Sequence, residues 1–235
     1  MGAFDLIFGP GGWWLPLIMG AAMTVAIAGC GFLIGTVLGA GLAGARISGS
    51  PLLGVPSDAV VTVLRGVPDL LVIYLFYFGG SQLLSAAGAM FGATGFVGMP
   101  AFLTGAAALG VVSAAYQSEV FRGALKAVPR GEIEAARAAG MGGFLLARRI
   151  VGPQILRFAL PGLGNVWQLL LKESALISVI GLVELLRVAH VASGSTRQPF
   201  LFYSAALVLY LVVTTVSGRA FTWAEQRSLR PYRRS

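Results

Sequence analysis

Residues 132–153 read EIEAARAAGMGGFLLARRIVGP, and this polar, basic stretch separates long apolar runs of the chain. Its first part is rich in alanine and begins with acids, which favours a helix because acids stabilise the positive end of the helix dipole. Gly140 and the pair Gly142-Gly143 then predict a turn, since glycine adopts backbone angles that other residues avoid. Residues 144–151 resume a helical pattern, which Pro153 is expected to end. The stretch therefore predicts two short helices joined near Gly140.

The composition around this stretch indicates an integral membrane protein. Of the 235 residues, 57% are hydrophobic and 11% are charged, whereas a soluble domain carries about 25% charged residues. The net charge of +8 comes from residues clustered in loops between apolar runs, which is typical of membrane proteins and argues against a nucleic-acid partner. A single histidine and a single cysteine cannot form a metal site by themselves.

The apolar runs predict five membrane spans, since about 20 apolar residues are needed to cross a bilayer. The expected spans are about 15–44, 58–87, 100–122, 158–183 and 198–218, with a cytoplasmic loop at about 123–157 and an external loop around His190. We therefore expect an all-α fold, a polytopic transmembrane helical bundle that forms a single domain over residues 1–235.

The distribution of basic residues predicts the orientation, because cytoplasmic loops carry an excess of lysine and arginine. With five spans, the loop at 122–157 and the C-terminal tail fall on the same side, so the N-terminus is expected to be periplasmic and the C-terminus cytoplasmic. The basic residues of these two segments are Arg122, Lys126, Arg130, Arg137, Arg148, Arg149, Arg157, Arg219, Arg227, Arg230, Arg233 and Arg234.

Glycines inside the spans predict how the helices pack. The first span has glycines at a spacing of four, which lets another helix approach closely in lipid; they are Gly31, Gly35 and Gly39. Gly162 and Gly164 follow Pro161 and predict an irregular start of the fourth span, of the kind that exposes backbone groups to a substrate.

Residues 132–153, which we call the EAA segment, resemble a motif of one transporter family. Six of its residues stand at the spacing of the EAA loop of type I ABC importer permeases: Glu134, Ala135, Ala136, Gly140, Ile150 and Pro153. The resemblance implies the type I permease fold and a loop that inserts into a groove on a cytoplasmic ATPase and passes its motion to the membrane helices. The family usually has leucine before the final proline, where this chain has Gly152.

Other stretches are similar to one branch of this family, the permeases for polar and basic amino acids. They are TVLRGVPD at 62–69, AAYQSEVFRGALKAVP at 114–129 and LPGLGNVWQLLLKESALIS at 160–178. The closest likeness is to the "Q" subunits that serve histidine, lysine, arginine and ornithine, or opines such as octopine and nopaline. The expected function is therefore uptake of a basic amino acid or an opine across the bacterial inner membrane.

The same resemblance implies the partners of this chain. They would be a second, homologous permease in a heterodimer, two copies of an ATP-binding subunit and a periplasmic substrate-binding protein. The chain has no Gly-x-x-x-x-Gly-Lys-[Ser/Thr] phosphate loop. We therefore expect a non-catalytic subunit without a cofactor of its own, in contact with membrane lipid, whose partner ATPase binds ATP and magnesium.

Polar side chains within the third and fourth spans are candidates for the substrate pathway. An ionised group at membrane depth costs at least about 2.5–3.5 kcal/mol and needs a partner or a polar cavity. Glu173 could bind a cationic side chain there, although a structural ion pair is an open alternative. The other candidates are Lys172, Ser174, Asn165, Gln168, Tyr116 and Gln117. Glu119 and Arg122, at i and i+3, are expected to form a helix-surface pair.

Arg65, Pro68 and Asp69 are candidates for a hinge or gate, because proline interrupts helical hydrogen bonding and two charges flank it. Helix packing at the membrane entry is the alternative. For the whole chain the alternative function is an ion-coupled secondary carrier without an ATPase, which five spans and no internal inverted repeat make less favourable. A serine protease built on His190 would lack a nucleophile in a buried span.

Overall fold

The chain folds into helices in a computed structural model, which describes residues 2–92 and 95–229. Arg230, Arg233 and Arg234 of the predicted basic tail lie outside the described residues. A π-helical turn at Leu75–Gly79 joins α4 to α5, another at Ala147–Val151 joins α8 to α9, and a 3-10 helix at Ser174–Ile180 extends α9. The α-helices are α1 (Ala3–Phe8), α2 (Trp14–Ile47), α3 (Pro51–Gly66), α4 (Asp69–Tyr74), α5 (Gly80–Met90), α6 (Ala101–Lys126), α7 (Arg130–Ala138), α8 (Gly143–Leu146), α9 (Gly152–Glu173), α10 (Leu185–Thr196) and α11 (Pro199–Leu229).

Within the described residues, four helical segments are long and apolar enough to cross a membrane, and a bent pair supplies a fifth candidate. The four are Trp14–Ile47, Asp69–Met90, Ala101–Lys126 and Pro199–Ser228. The bent pair comprises Gly143–Ile180 and Leu185–Thr196, which meet at 53°. The predicted all-α polytopic bundle is confirmed, and it satisfies the need of a lipid-embedded backbone to bond within helices.

A break divides the region predicted as the second span, about 58–87. Helix α3 ends at Gly66, Val67 is extended, and Pro68 precedes the first residue of α4, Asp69. The physical reason is that a proline disfavours helical angles in the residue before it. The apolar helical segment therefore begins at Asp69, and α3 is a separate helix.

The glycines of α2 bring it into close contact with α6. A Cβ atom at Gly35 would lie 2.5 Å from Oγ of Ser113, and a Cβ at Gly31 or Gly39 would find neighbours at 2.8 and 2.9 Å. Only hydrogen fits at these positions, so the two backbones approach more closely than other residues would allow. The predicted role of this glycine repeat in helix packing is confirmed.

The fourth predicted span differs from the expectation at both of its prolines. Pro153 does not end a loop helix, because the helical segment is continuous from Gly143 to Ile180 and Pro153 lies in the first turn of α9. The missing N–H of this proline removes one helical hydrogen bond, and the irregular π-helical turn at Ala147–Val151 just before it accommodates that loss. Pro161 lies inside α9 rather than at an irregular start. A Cβ at Gly162 would lie 2.8 Å from Cγ1 of Val120, so this glycine serves packing against α6.

The irregular part of this segment comes later, after Glu173. The 3-10 helix ends at Gly181, which has a φ of +97° that favours glycine, and the chain then turns into α10. The prediction of a loop around His190 was wrong, because this residue lies within α10. Its Nδ1 atom is 3.1 Å from the hydroxyl oxygen of Tyr203 on α11.

Candidate functional site

Two carboxyl groups face each other inside the helical bundle. Glu173, at the end of α9, is only 8% exposed, and its side chain interacts directly with that of Asp69 at the start of α4. Oε2 of Glu173 is buried and receives no hydrogen bond from any described residue. Two carboxyl groups held together with little solvent repel each other unless a proton or a cation lies close by. We call Asp69 and Glu173 the acidic pair.

Tyr116 and Arg65 lie beside the acidic pair. Tyr116, on α6, interacts electrostatically with Asp69, Glu173 and Arg65. The guanidinium carbon of Arg65 lies 5.9 Å from the centre of the Tyr116 ring, within the range of a cation–π interaction. The structure thus brings predicted pathway residues and predicted gate residues together in one cluster from α3, α4, α6 and α9.

A network of ion pairs around Glu119 adjoins this cluster. Oε2 of Glu119 lies 2.6 Å from Nη2 of Arg122, which is the expected i,i+3 pair. Its Oε1 lies 2.9 Å from Nη1 of Arg46 and 3.8 Å from Nη1 of Arg65. Arg46 also lies 2.5 Å from a carboxylate oxygen of Asp58. Glu119 therefore has two close cationic partners besides the more distant Arg65.

The neighbours of Glu173 in sequence point in different directions. Lys172 is exposed, as expected for a residue about 100° further round the helix. Ser174 is fully buried, and its hydroxyl donates a hydrogen bond of 2.8 Å to the carbonyl of Leu171. Lys172 therefore does not pair with Glu173 in a buried contact, and Ser174 caps the end of its own helix.

Asn165 and Gln168 lie in a different place from the acidic pair. Both are exposed on α9 and line a cleft against α11. The facing side of this cleft contains Thr222 and Glu225 of α11. The structure therefore does not join these two amides to Glu173, and the cleft is a second polar location within the bundle.

Gln117 is part of the interface between α2 and α6. Its Nε2 atom donates hydrogen bonds of 3.0 Å to the carbonyl of Phe32 and 2.8 Å to Oγ of Ser113. Its Oε1 atom accepts a 2.8 Å hydrogen bond from the hydroxyl of Thr36. The side chain is fully buried and its polar atoms are used, so Gln117 holds two helices together beside Tyr116.

The EAA segment forms the short helix α7, the predicted turn at Gly140 and the start of the long helical segment Gly143–Ile180, so the second helix is not short as predicted. Gly140 has a φ of +79°, a conformation that L side chains rarely adopt. Its N–H donates to the carbonyl of Arg137, and that of Met141 donates to the carbonyl of Ala136, so the end of α7 is closed by hydrogen bonds. The turn therefore depends on the backbone freedom of one glycine.

The predicted coupling residues occupy both sides of this turn. Glu134 and Ala135 are exposed on α7, whereas Ala136 is buried. Ile150 is half-buried in the π-helical turn, and Phe144 on α8 is 81% exposed. An exposed carboxylate, a small residue and an aromatic ring together form a surface that another protein could cover.

The EAA segment is physically connected to the helix that contains Glu173. The segment from Gly143 to Ile180 is continuous and includes α8, the π-helical turn and α9. The buried amide of Gln154 donates a short hydrogen bond to the carboxylate of Glu132 on α7. The EAA segment and the acidic pair are therefore joined by one continuous helical segment and by this hydrogen bond.

Two charged residues whose side chains have little exposure, Arg46 and Glu184, are not identified as functional candidates from the sequence. Arg46 has a side chain only 9% exposed and holds Asp58 and Glu119; the signal was a lone cation at the end of an apolar run. Glu184 is fully buried at the start of α10 and accepts hydrogen bonds from the N–H groups of Leu186 and Arg187. Its signal was a lone acid between a glycine turn and an apolar helix.

The fold and this site define a class of protein before any comparison is made. A polytopic helical bundle with ionisable residues buried between its helices is typical of membrane transport proteins, in which such residues mark a pathway. Helices α7 and α8 add exposed polar and aromatic residues, among them Glu134 and Phe144. The chain is in this sense a membrane transport subunit.

Comparison with known families gives the particular group. Residues 31–230 match the model of the binding-protein-dependent transport system inner membrane component, so the chain belongs to this family. It is a multi-pass permease subunit of an ABC importer, a class located in the inner membrane. The match favours this function over an ion-coupled carrier.

Similar proteins cover nearly the whole chain. It is 60% identical over 235 residues to the octopine transport system permease protein OccQ of Rhizobium meliloti, covering 100% of this chain and 99% of that protein. It is 47% identical to the nopaline transport system permease protein NocQ of Agrobacterium fabrum, covering 94% of each. A crystal structure of an amino acid ABC transporter with histidines superposes with a TM-score of 0.77 at 32% identity, covering 92% of this chain and 95% of the other.

Proposed function

We propose that this permease takes up basic amino acids, such as arginine, histidine, lysine and ornithine, or opines derived from them. The observation that carries the proposal is the acidic pair with the buried Oε2 atom of Glu173, which no described residue satisfies. A guanidinium or ammonium group would offer charge-assisted hydrogen bonds to both carboxyl groups. The names of the relatives OccQ and NocQ, which are octopine and nopaline permeases, support the same substrate class.

The acidic pair supplies selectivity by charge. A cation between Asp69 and Glu173 offsets their mutual repulsion, whereas a neutral side chain of the same shape leaves that repulsion in place. Tyr116 offers a ring face beside the two carboxyl groups. Lys172, Asn165 and Gln168, which are exposed elsewhere on α9, belong to other parts of the pathway or to the surface facing the second permease.

In this proposal the energy for transport comes from partner subunits that hydrolyse ATP. Two copies of an ATP-binding subunit bind ATP and magnesium, a second homologous permease completes a heterodimer, and a periplasmic binding protein delivers the substrate. The exposed residues Glu134, Ala135 and Phe144 contact the ATPase, and the turn at Gly140 sets the angle between α7 and α8. This chain itself catalyses no reaction.

The mechanical route from ATP to substrate follows the continuous helical segment. Closure of the ATPases displaces the EAA segment, and the hydrogen bond between Gln154 and Glu132 makes α9 move with α7. Movement of α9 carries Glu173 away from or towards Asp69. The break at Val67 and Pro68 acts as the hinge that lets α4 follow, so the two carboxyl groups form a gated site.

The orientation in this proposal follows the basic residues. The EAA segment has the exposed residues Arg137, Arg148 and Arg149, and α11 has Arg219 and Arg227. Both regions are cytoplasmic in this proposal, in line with the positive-inside rule. The N-terminus is periplasmic. The acidic pair then lies within the membrane, between the binding protein on one side and the ATPases on the other.

A binding experiment with a neutral isostere of arginine tests the charge-based site. Citrulline has nearly the shape of arginine but an uncharged end group. Labelled arginine is bound to the complete permease–ATPase complex in nanodiscs, without the binding protein, and is displaced by citrulline. We expect the wild type to prefer arginine and Glu173→Gln to lose about tenfold of that preference, because one of two attracting charges is removed.

The matched control is Glu225→Gln, which removes the carboxylate of the cleft between α9 and α11. It is expected to leave the preference for arginine unchanged. If Glu225→Gln rather than Glu173→Gln removes the preference, the cation site is in that cleft and the proposal is wrong. Equal binding of arginine and citrulline by the wild type would also refute it.

A further inference from the structure

We propose that Arg65 binds the carboxylate of the substrate. The inference rests on the proposed function, because it places the anionic end of an amino acid or opine beside the acidic pair. Arg65 lies at the end of α3, just before the helix break, with its guanidinium beside the ring of Tyr116. The same ring interacts with both carboxyl groups of the acidic pair.

Glu119 does not need Arg65 to balance its negative charge. Arg122 and Arg46 contact Glu119 at 2.6 and 2.9 Å, whereas the distance from Arg65 is 3.8 Å. The side chain of Arg65 is 48% exposed, while that of Arg46 is 9% exposed. Arg65 can therefore leave Glu119 with two close cationic partners and turn its guanidinium to a new anion.

The charges of the cluster complement those of a basic amino acid. The cluster has two acids and one accessible base, namely Asp69, Glu173 and Arg65. Arginine has two cationic groups, the guanidinium and the α-ammonium, and one carboxylate. A guanidinium binds a carboxylate through two parallel hydrogen bonds, which fixes its orientation as well as its position.

This arrangement gives each group of the cluster a separate task. The acidic pair selects the cationic groups, and Arg65 selects compounds that also carry a carboxylate. Amines that resemble arginine but lack the carboxylate would be excluded. The permease would then apply a second selection after that of the binding protein.

Agmatine, which is arginine without its carboxylate, is the probe that tests Arg65. Agmatine and arginine compete with labelled arginine on the permease–ATPase complex in nanodiscs, for the wild type, Arg65→Gln and Arg65→Lys. We expect the wild type to bind arginine about tenfold more tightly than agmatine. Arg65→Gln is expected to bind the two equally, because only arginine loses a contact. Arg65→Lys, which keeps the charge without the paired donors, should show an intermediate preference.

Arg219→Gln is the matched control, since it removes an exposed arginine of α11 and leaves all three cationic partners of Glu119 in place, with Arg65 beside Tyr116. It should keep the preference for arginine over agmatine. The inference is overturned if Arg219→Gln also loses that preference, or if Arg65→Gln weakens both ligands equally. Agmatine binding by Arg65→Gln shows that this variant is folded, and Arg65→Lys provides the test if it is not. Failure of the proposed function would appear separately, as equal binding of arginine and citrulline by the wild type.

Discussion

The EAA segment and the acidic pair are built in opposite ways. The EAA segment is one contiguous stretch whose shape depends on the backbone at Gly140. The acidic pair is assembled from α4 and α9, with Tyr116 on α6 beside it, and depends on charge. A change in the EAA segment should therefore affect every substrate alike, whereas a change in the acidic cluster should depend on the charges of the substrate.

The strongest test of this contrast is a pair of substitutions at Gly140. Valine avoids the left-handed conformation, which costs about 1–2 kcal/mol for an ordinary residue, whereas asparagine is tolerated there. A Cβ atom at this position has open space around it, so only the backbone is tested. We expect Gly140→Val to abolish uptake of arginine and its coupling to ATP hydrolysis in proteoliposomes.

Gly140→Asn serves as the control of similar size and should retain most of the uptake. Binding of arginine and citrulline to the receptor-free complex should be unchanged in both variants, because the acidic pair is untouched. Normal uptake by Gly140→Val would show that the turn has no role in coupling. A changed arginine preference would show that the two regions are not separable in this way.

A smaller effect is expected from breaking the link between the two regions. Gln154→Leu removes the buried amide that donates to Glu132 but keeps an apolar side chain of similar size. A hydrogen bond to a charged group contributes about 1.5–3 kcal/mol. We expect arginine uptake to fall about tenfold while ATP hydrolysis continues, measured together in the same proteoliposomes. Gln226→Leu, which changes an exposed amide on α11, should leave the ratio of uptake to hydrolysis unchanged, and an equal loss in both variants would contradict the link.

The smallest effect on transport is expected at Glu184, which belongs to neither region. Its carboxylate accepts two backbone N–H groups at the start of α10 and lies 3.2 Å from the hydroxyl of Tyr210. Loss of such a cap costs about 0.5–2 kcal/mol. Glu184→Ala should therefore lower the thermal unfolding temperature of the purified complex and leave the preference for arginine over citrulline intact. A change of preference would make Glu184 part of the substrate pathway.

The local features of this molecule could be predicted from its sequence, and the assembled ones could not. The helix, the turn at Gly140 and the glycine repeat of α2 follow from residues that are near each other in the chain. The prediction that Pro153 ends a helix was wrong. A proline early in a helix and one that follows a helix cannot be told apart without knowledge of the preceding π-helical turn. The likeness to a known family supplied the function that local patterns did not.

The contact between Asp69 and Glu173 could not be predicted from the sequence. Glu173 was identified because a charge in an apolar run needs a reason. The sequence indicates only a hinge at Asp69, because nothing local shows that α4 lies beside the end of α9. The sequence predicts that Asn165 and Gln168 lie near Glu173 because they share its helix, yet they face α11 instead. Direction around a helix axis, rather than distance along it, decided which of these residues meet.

The close contact between α2 and α6 has a consequence for how the protein is made. Helix α6 is synthesised only after α3, α4 and α5, so the glycine face of α2 has no helix to cover it during early membrane insertion. The hydroxyl of Thr36 donates to the carbonyl of Phe32 within α2 itself, which satisfies this polar group in the interval. Once α6 has been inserted, the amide of Gln117 forms hydrogen bonds with the hydroxyl of Thr36 and the carbonyl of Phe32. The glycine face of α2 is therefore covered by a helix that is not the next one to be synthesised.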